Sequence, residues 1–256
     1  MRAEWRSIFD GIAADYRLHG EAQNESLNLF DSATYTWARS GPHGGTYGSV
    51  YVWTNHGNAE AVACFWRNPG TNGQVSVVHE LHSLSPVVLH STGKDSDSWK
   101  PKAGVKRHPL VEAPAPALSA IGRLQQMRAL CRDLSAHSTS LRGERTELRL
   151  LPQPLYRFNS TDPRVLDGAL FAFVCSIGTD PEVFLQLEAR DLGSGPRWHY
   201  TLARFSHMDL HVQYKGKEVW QALRDEENTL AHNADYTYWV FHQPLDRIKP
   251  GVTQKD

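Results

Sequence analysis

Residues 168–177 read GALFAFVCSI, and residues 48–54 read GSVYVWT. Each run opens on glycine and continues in β-branched and aromatic residues, the side chains that fit a pleated strand. The first run has almost no polar residue, so both faces of that strand have to be covered. The two runs also align, Gly48-Ser-Val-Tyr-Val-Trp53 on Gly168-Ala-Leu-Phe-Ala-Phe173.

The likeness extends outward. Leu27, Leu29, Tyr35 and Trp37 match Leu148, Leu150, Tyr156 and Phe158, an offset of about 121 residues as between Tyr35 and Tyr156. Gly57 and Val62 match Gly178 and Val183, and Leu81, Ser85, Leu89, His90 and Trp99 match Leu202, Ser206, Leu210, His211 and Trp220. A helix precedes each strand set. In residues 3–18, Trp5, Ile8, Phe9, Ile12 and Tyr16 recur at helical spacing. In residues 117–136, Leu118, Ile121, Leu124, Met127, Cys131 and Leu134 do the same. Turn signals at NHGN (55–58), NPGTNG (68–73), GTDP (178–181) and KGK (215–217) favour antiparallel neighbours.

These patterns predict an α+β fold. It is an internal duplication of a helix plus an antiparallel four- to five-stranded meander, with a cystatin-like architecture. The units are expected at 1–100 and 118–222, joined by a Pro-rich linker over 101–117. A C-terminal extension over 223–256 adds one strand, and a further helix is expected at about 218–231. One face of each sheet would pack on its helix and the other on the sister unit, which explains GALFAFVCSI. The alternative is a single antiparallel β-barrel or sandwich with two helices.

Composition narrows the function. The chain has 27 Lys and Arg against 28 Asp and Glu, a net charge of −1, which excludes a strongly basic nucleic-acid binder. No window is apolar for the ~18 residues of a membrane span, and no secretory leader is visible, so a cytoplasmic protein without membrane partners is expected. The three cysteines are sparse and offer neither a disulfide framework nor a zinc pair. A basic cluster in the linker, Lys100, Lys102, Lys106 and Arg107, reads as a solvated loop, with an anion site as the sharper alternative.

Three constellations could carry chemistry. On the strand around 207–214, His207, Asp209 and His211 share one face at alternating positions and could reach one metal ion. In His79-Glu80-Leu81-His82, Glu80 and His82 share a face and His79 points away. Such a carboxylate–imidazole pair does acid–base work where a pocket shifts its pKa. Trp53, Trp66, Phe171 and Phe173 could line a ligand pocket in or between the β units. No nucleophile elbow, phosphate loop, dinucleotide fingerprint or C-x-x-C is present, and no cofactor is called for.

The segments HELHSLS (79–85), Trp99 with Pro101, RLQQMRAL (123–130), LRLLPQPLYRF (148–158) and DGALFAFV (167–174) resemble uncharacterised bacterial proteins without an assigned function. The resemblance implies a shared fold and no activity, ligand or catalytic residue. The leading expectation is a soluble, non-catalytic protein that binds an unknown small molecule or protein. The alternative is an enzyme that depends on histidine and carboxylate, metal-assisted in one version.

Overall fold

A computed structural model describes residues 3–20, 26–40, 45–70, 73–92, 99–103, 105–176, 178–224 and 237–248. Of these, 53% lie in strands and 14% in helices. Helix α1 (Ala3–Asp15) leads into strands β1 (Arg17–Gly20), β2 (Asn28–Leu29), β3 (Tyr35–Arg39), β4 (Thr46–Asn55), β5 (Asn58–Pro69), β6 (Val75–Ser83) and β7 (Leu89–Thr92). A short β8 (His108–Pro109) lies in the expected linker. Helix α2 (Ala120–Arg132) then leads into β9 (Leu134–Thr139), β10 (Arg145–Leu150), β11 (Tyr156–Arg157), β12 (Val165–Cys175), β13 (Pro181–Asp191), β14 (Pro196–Arg204), β15 (Asp209–Tyr214) and β16 (Lys217–Ala222). Strand β17 (Tyr238–Pro244) and the short helix α3 (Leu245–Ile248) complete the described chain.

The fold expectation needs correction. The protein is mostly β with three helices and several antiparallel sheets that include a half-barrel, not an α+β pair of helix-plus-meander units. The alternative, a single barrel or sandwich with two helices, also departs from the structure, which has three helices and a half-barrel among several sheets. One sheet has the order β17-β6-β5-β4-β2 with β3 also on β4, and the other β16-β15-β9-β10-β12-β13-β14-β8 with β11 also on β12. The departure from a meander has a local cause. The strand that follows each helix turns back to pair with a late strand: β9 joins β15 to β10 and carries the larger sheet around, while β1 and β7 form a separate two-stranded sheet. In β1 the tetrapeptide RLHG extends, so the helix expected over 3–18 stops short at Asp15. In α2 the expected apolar stripe is short, since Leu118 and Ile121 are exposed and only Met127, Leu130 and Cys131 are buried. Residues 217–222 are strand β16 rather than the start of a helix, and the rest of that expected helix lies largely outside the described residues.

The two sheets pack face to face, each with a helix on its outer side. Trp5, Ile8, Phe9 and Ile12 of α1 pack on Tyr51, Trp53, Phe65 and Leu81. Met127, Leu130 and Cys131 of α2 pack on Phe171, Phe173, Leu185 and Leu187. Between the sheets a third cluster joins Val50, Val52, Val62 and Cys64 to Leu170, Ala172, Val174 and Phe184. Alternation along β12 thus sends Phe171 and Phe173 to α2 and Leu170, Ala172 and Val174 to the seam, which is why the run is apolar throughout.

Both tyrosines of the aligned motif cross the seam. The Tyr156 hydroxyl donates to the Gly57 carbonyl at 2.9 Å, and the Tyr35 hydroxyl to the Thr179 carbonyl at 3.0 Å. Each reaches the turn at the tip of the other sheet's longest hairpin. Glycine is required at two kinds of place. His56 and Gly57 turn the β4–β5 hairpin in two residues with φ of 50° and 76°, the left-handed pair a tight hairpin needs. Gly48 and Gly168 instead lie under aromatic rings, where an added Cβ would stand 2.6 Å from Trp37 and 2.5 Å from Phe158.

Candidate functional site

The middle of the seam is mostly apolar, crossed by the bond from Gln186 Nε2 to the Ala59 carbonyl at 2.9 Å, but its two ends are charged. At each end a glutamate near the start of a long strand turns inward beside a serine. Glu60 of β5 hydrogen-bonds Ser85, and its carbonyl accepts from Leu84 N at 2.8 Å. Glu182 of β13 hydrogen-bonds Ser206, and its carbonyl accepts from Phe205 N, also at 2.8 Å. Burial pushes both carboxyls up to about 7. Each glutamate opens onto a cavity whose far wall comes from the other sheet.

The first cavity, about 610 Å³, is a charged cleft. Glu60 and the hairpin residues Asn55 and Asn58 face Glu188 and Arg190 of β13 and the loop at Asp162 and Arg164. Arg107 enters from the linker and grips both Glu188 oxygens, while Arg190 Nη1 holds Glu188 Oε1 at 3.2 Å. Asp162 in turn pairs with Arg164 at 3.0 Å and Arg190 at 3.7 Å. One member of the expected basic linker cluster, Arg107, is therefore an ion-pair partner of a buried carboxylate while itself remaining exposed.

The second cavity, about 500 Å³, is acidic and aromatic. Trp37, Trp66, Phe205 and Met208 form walls, and Glu80, Asp180 and Glu182 supply carboxylates. The indoles of Trp37 and Trp66 are 6.2 Å apart between ring centroids. Glu80 takes hydrogen bonds from the Tyr238 hydroxyl and the Trp66 indole, yet burial, aided by Glu182 and Asp180, pushes it up to about 8. Asp180 Oδ1 and Glu182 Oε2 are buried and receive no hydrogen bond. A buried carboxylate oxygen without a donor costs free energy that a bound donor returns. The exposed Arg39 and His207 stand at the mouth.

The residues expected from the sequence are dispersed. Trp66 and Glu80 meet in the acidic cavity. Trp53, Phe171 and Phe173 are at most 1% exposed and pack under the helices. His79 is buried on the α1 face between the Tyr16 hydroxyl and Gln243 Oε1, both at 2.8 Å, and burial pulls it down to about 3. His82 lies on the seam face with Glu80, its Nδ1 2.6 Å from the Ser83 carbonyl, and is pulled down to about 4, chiefly by burial. His79, Glu80 and His82 therefore do not converge.

The expected metal ligands also separate. His207 lines the mouth of the acidic cavity. Asp209 Oδ1 accepts from Arg224 N at 2.8 Å, and His211 Nδ1 lies 2.7 Å from Glu218 Oε2. Among the described residues no group of three or more metal-ligating side chains converges. No family model, curated protein or solved structure matches the chain. Among the described residues no helix is long and apolar enough to cross a membrane.

Proposed function

We propose that the protein binds a small organic cation carrying N–H donors, an ammonium or guanidinium compound, in the acidic cavity between the two β-sheets. One observation carries this reading: Asp180 Oδ1 and Glu182 Oε2 are buried without donors, and both residues line the cavity that Trp37 and Trp66 wall. An ammonium or guanidinium head would donate to both oxygens and lie against the negative faces of the indoles. Its alkyl stem would meet Phe205 and Met208. The site belongs to both sheets, so binding also fastens one half of the chain to the other. That accords with a repeated unit, each half supplying a glutamate–serine pair to one cavity and a wall to the other.

The test is calorimetric titration with n-butylammonium, tetramethylammonium and butan-1-ol. Butylammonium should bind, tetramethylammonium more weakly because it lacks donors, and butanol not at all. Tetramethylammonium keeps its charge at every pH, so its affinity reports the protein alone. A bound cation favours ionised Glu182, which lies near 7 when the cavity is empty. Ionisation rises from roughly one part in eleven at pH 6 to ten in eleven at pH 8, so affinity should climb about tenfold. Trp66→Ala should abolish the binding. Equal affinity for butanol and butylammonium, or no binding of either cation at pH 8, would overturn the reading.

A further inference from the structure

Two histidine pairs occupy comparable places in the two halves of the chain, one in the larger sheet and one in the separate two-stranded sheet of β1 and β7. His137 of β9 lies in register opposite His211 of β15, and His19 of β1 opposite His90 of β7. In both cases the first strand after a helix meets a later strand of the same half. The chain has 13 histidines among 256 residues. A polar strand face asks only for hydrophilic side chains, and that requirement does not explain imidazole at all four of these positions.

The pair in the second half is the better ordered for chemistry. The His137 and His211 rings are 4.7 Å apart between centroids and within 7° of parallel. The His19 and His90 rings are 6.4 Å apart at 26°. Glu218 of β16 holds His211 at Nδ1, which fixes the ring and turns Nε2 away from the carboxylate. A carboxylate on the far nitrogen is how proteins orient an imidazole that ligates a metal. Two nitrogens on one tetrahedral ion, each about 2.0–2.1 Å from it, stand roughly 3.3 Å apart. In the parallel stack the two in-plane lone pairs run side by side, so both rings would turn out of the stack to converge on one ion.

We infer that His137 and His211 form a two-imidazole site for a divalent transition-metal ion such as Zn²⁺, with Glu218 orienting His211 and water completing the coordination. The pair crosses between strands, whereas the alternating positions His207, Asp209 and His211 run along one. This inference is independent of the cation cavity. His211 and Glu218 lie on β15 and β16, away from the carboxylates of that cavity in the sequence and in its lining.

The experiment is titration of untagged full-length protein with Zn²⁺ at pH 7.5, followed by calorimetry. The intact protein should bind at least one equivalent. His137→Ala and His211→Ala should each remove one equivalent, and Glu218→Gln should weaken the same event by about 10- to 100-fold. His207→Ala should leave it unchanged. All four side chains are on the surface or partly exposed, so the variants should keep their fold, which circular dichroism checks. Undiminished Zn²⁺ binding in the His137→Ala/His211→Ala double variant overturns the inference, as does the absence of binding to the intact protein. Loss of binding in His207→Ala moves the site onto the single strand and overturns it equally.

Discussion

Replacing Glu60 by glutamine should make the protein more resistant to alkaline pH, by an amount the structure sets. Glu60 stands at about 7 in the folded chain against a reference of 4.5, chiefly because burial disfavours its charged form. Glu188 raises it further, while Ser85, Arg107 and Arg190 act the other way without prevailing. Between those two values the folded state holds a proton that the unfolded state has released. Stability is then present in full below 4.5 and is lost as pH rises through 7. At 1.36 kcal/mol per unit, the two units between pH 5 and pH 7 amount to about 3 kcal/mol. Glutamine has no proton to lose. Whatever constant cost the amide adds in its contact with Ser85, the stability difference between variant and parent should move by about 3 kcal/mol in favour of the variant from pH 5 to pH 8. In a chain of this size that is on the order of 6–12 °C in Tm. Urea unfolding or thermal melts at both pH values measure it, and Glu80 and Glu182 cancel because both proteins carry them. If the melting difference is the same at pH 5 and pH 8, Glu60 is not held protonated and the account of the cleft is wrong.

Two packing predictions can be made from the glycines. Gly168→Ala and Gly48→Ala should each destabilise by about 1–3 kcal/mol in urea unfolding, because the new Cβ overlaps Phe158 or Trp37. Only Gly48→Ala should also weaken butylammonium binding, since Trp37 walls the acidic cavity and Phe158 does not. Tyr156→Phe should cost about 1 kcal/mol by removing the bond to the Gly57 carbonyl, and Tyr35→Phe a similar amount through Thr179. A neutral result for both would mean that the hydroxyl bonds across the seam contribute nothing to holding the sheets together.

The strands carrying the seam were legible because their alternation is strong and their turns are chemically marked. NHGN bends where His56 and Gly57 take positive φ, and KGK where Lys215 and Gly216 do. The curl was not legible. RLHG is too short to announce a strand, and Tyr16 buries itself in the α1 cluster whether or not the helix reaches it. KEVWQA fits a helix as well as a strand, and pairing with β15 decides the matter. The acidic cavity was half visible. Trp66 and Glu80 stood out as residue types, but Asp180 and Glu182 look like ordinary polar positions near a turn. One available signal was missed. Matching Val62 to Val183 puts a seam residue against one facing α2, because a slip of one residue flips the face. Moving the alignment by that residue brings Glu60 onto Glu182, beside the match already made between Ser85 and Ser206.

That corrected register also explains why the two cavities differ. Gly48 pairs with Trp66, and Gly168 pairs with Glu188. The residue opposite the glycine is therefore an indole at one end of the seam and a carboxylate at the other, on backbones that pair in the same way. Two strand positions further on, the side chain is Asn68 in the first case and Arg190 in the second. An indole leaves Glu182 facing a cavity with a donorless oxygen. A carboxylate in the same place calls in Arg190 and, from the linker, Arg107, and both Glu188 oxygens are consumed. The charged cleft thus satisfies its own ion pairs, leaving among its described residues only the neutral Asn58 Oδ1 without a donor, whereas the aromatic cavity leaves carboxylate oxygens unpaired. On the proposed reading, the binding energy for a cation would be concentrated at the end of the seam where the strand presents tryptophan.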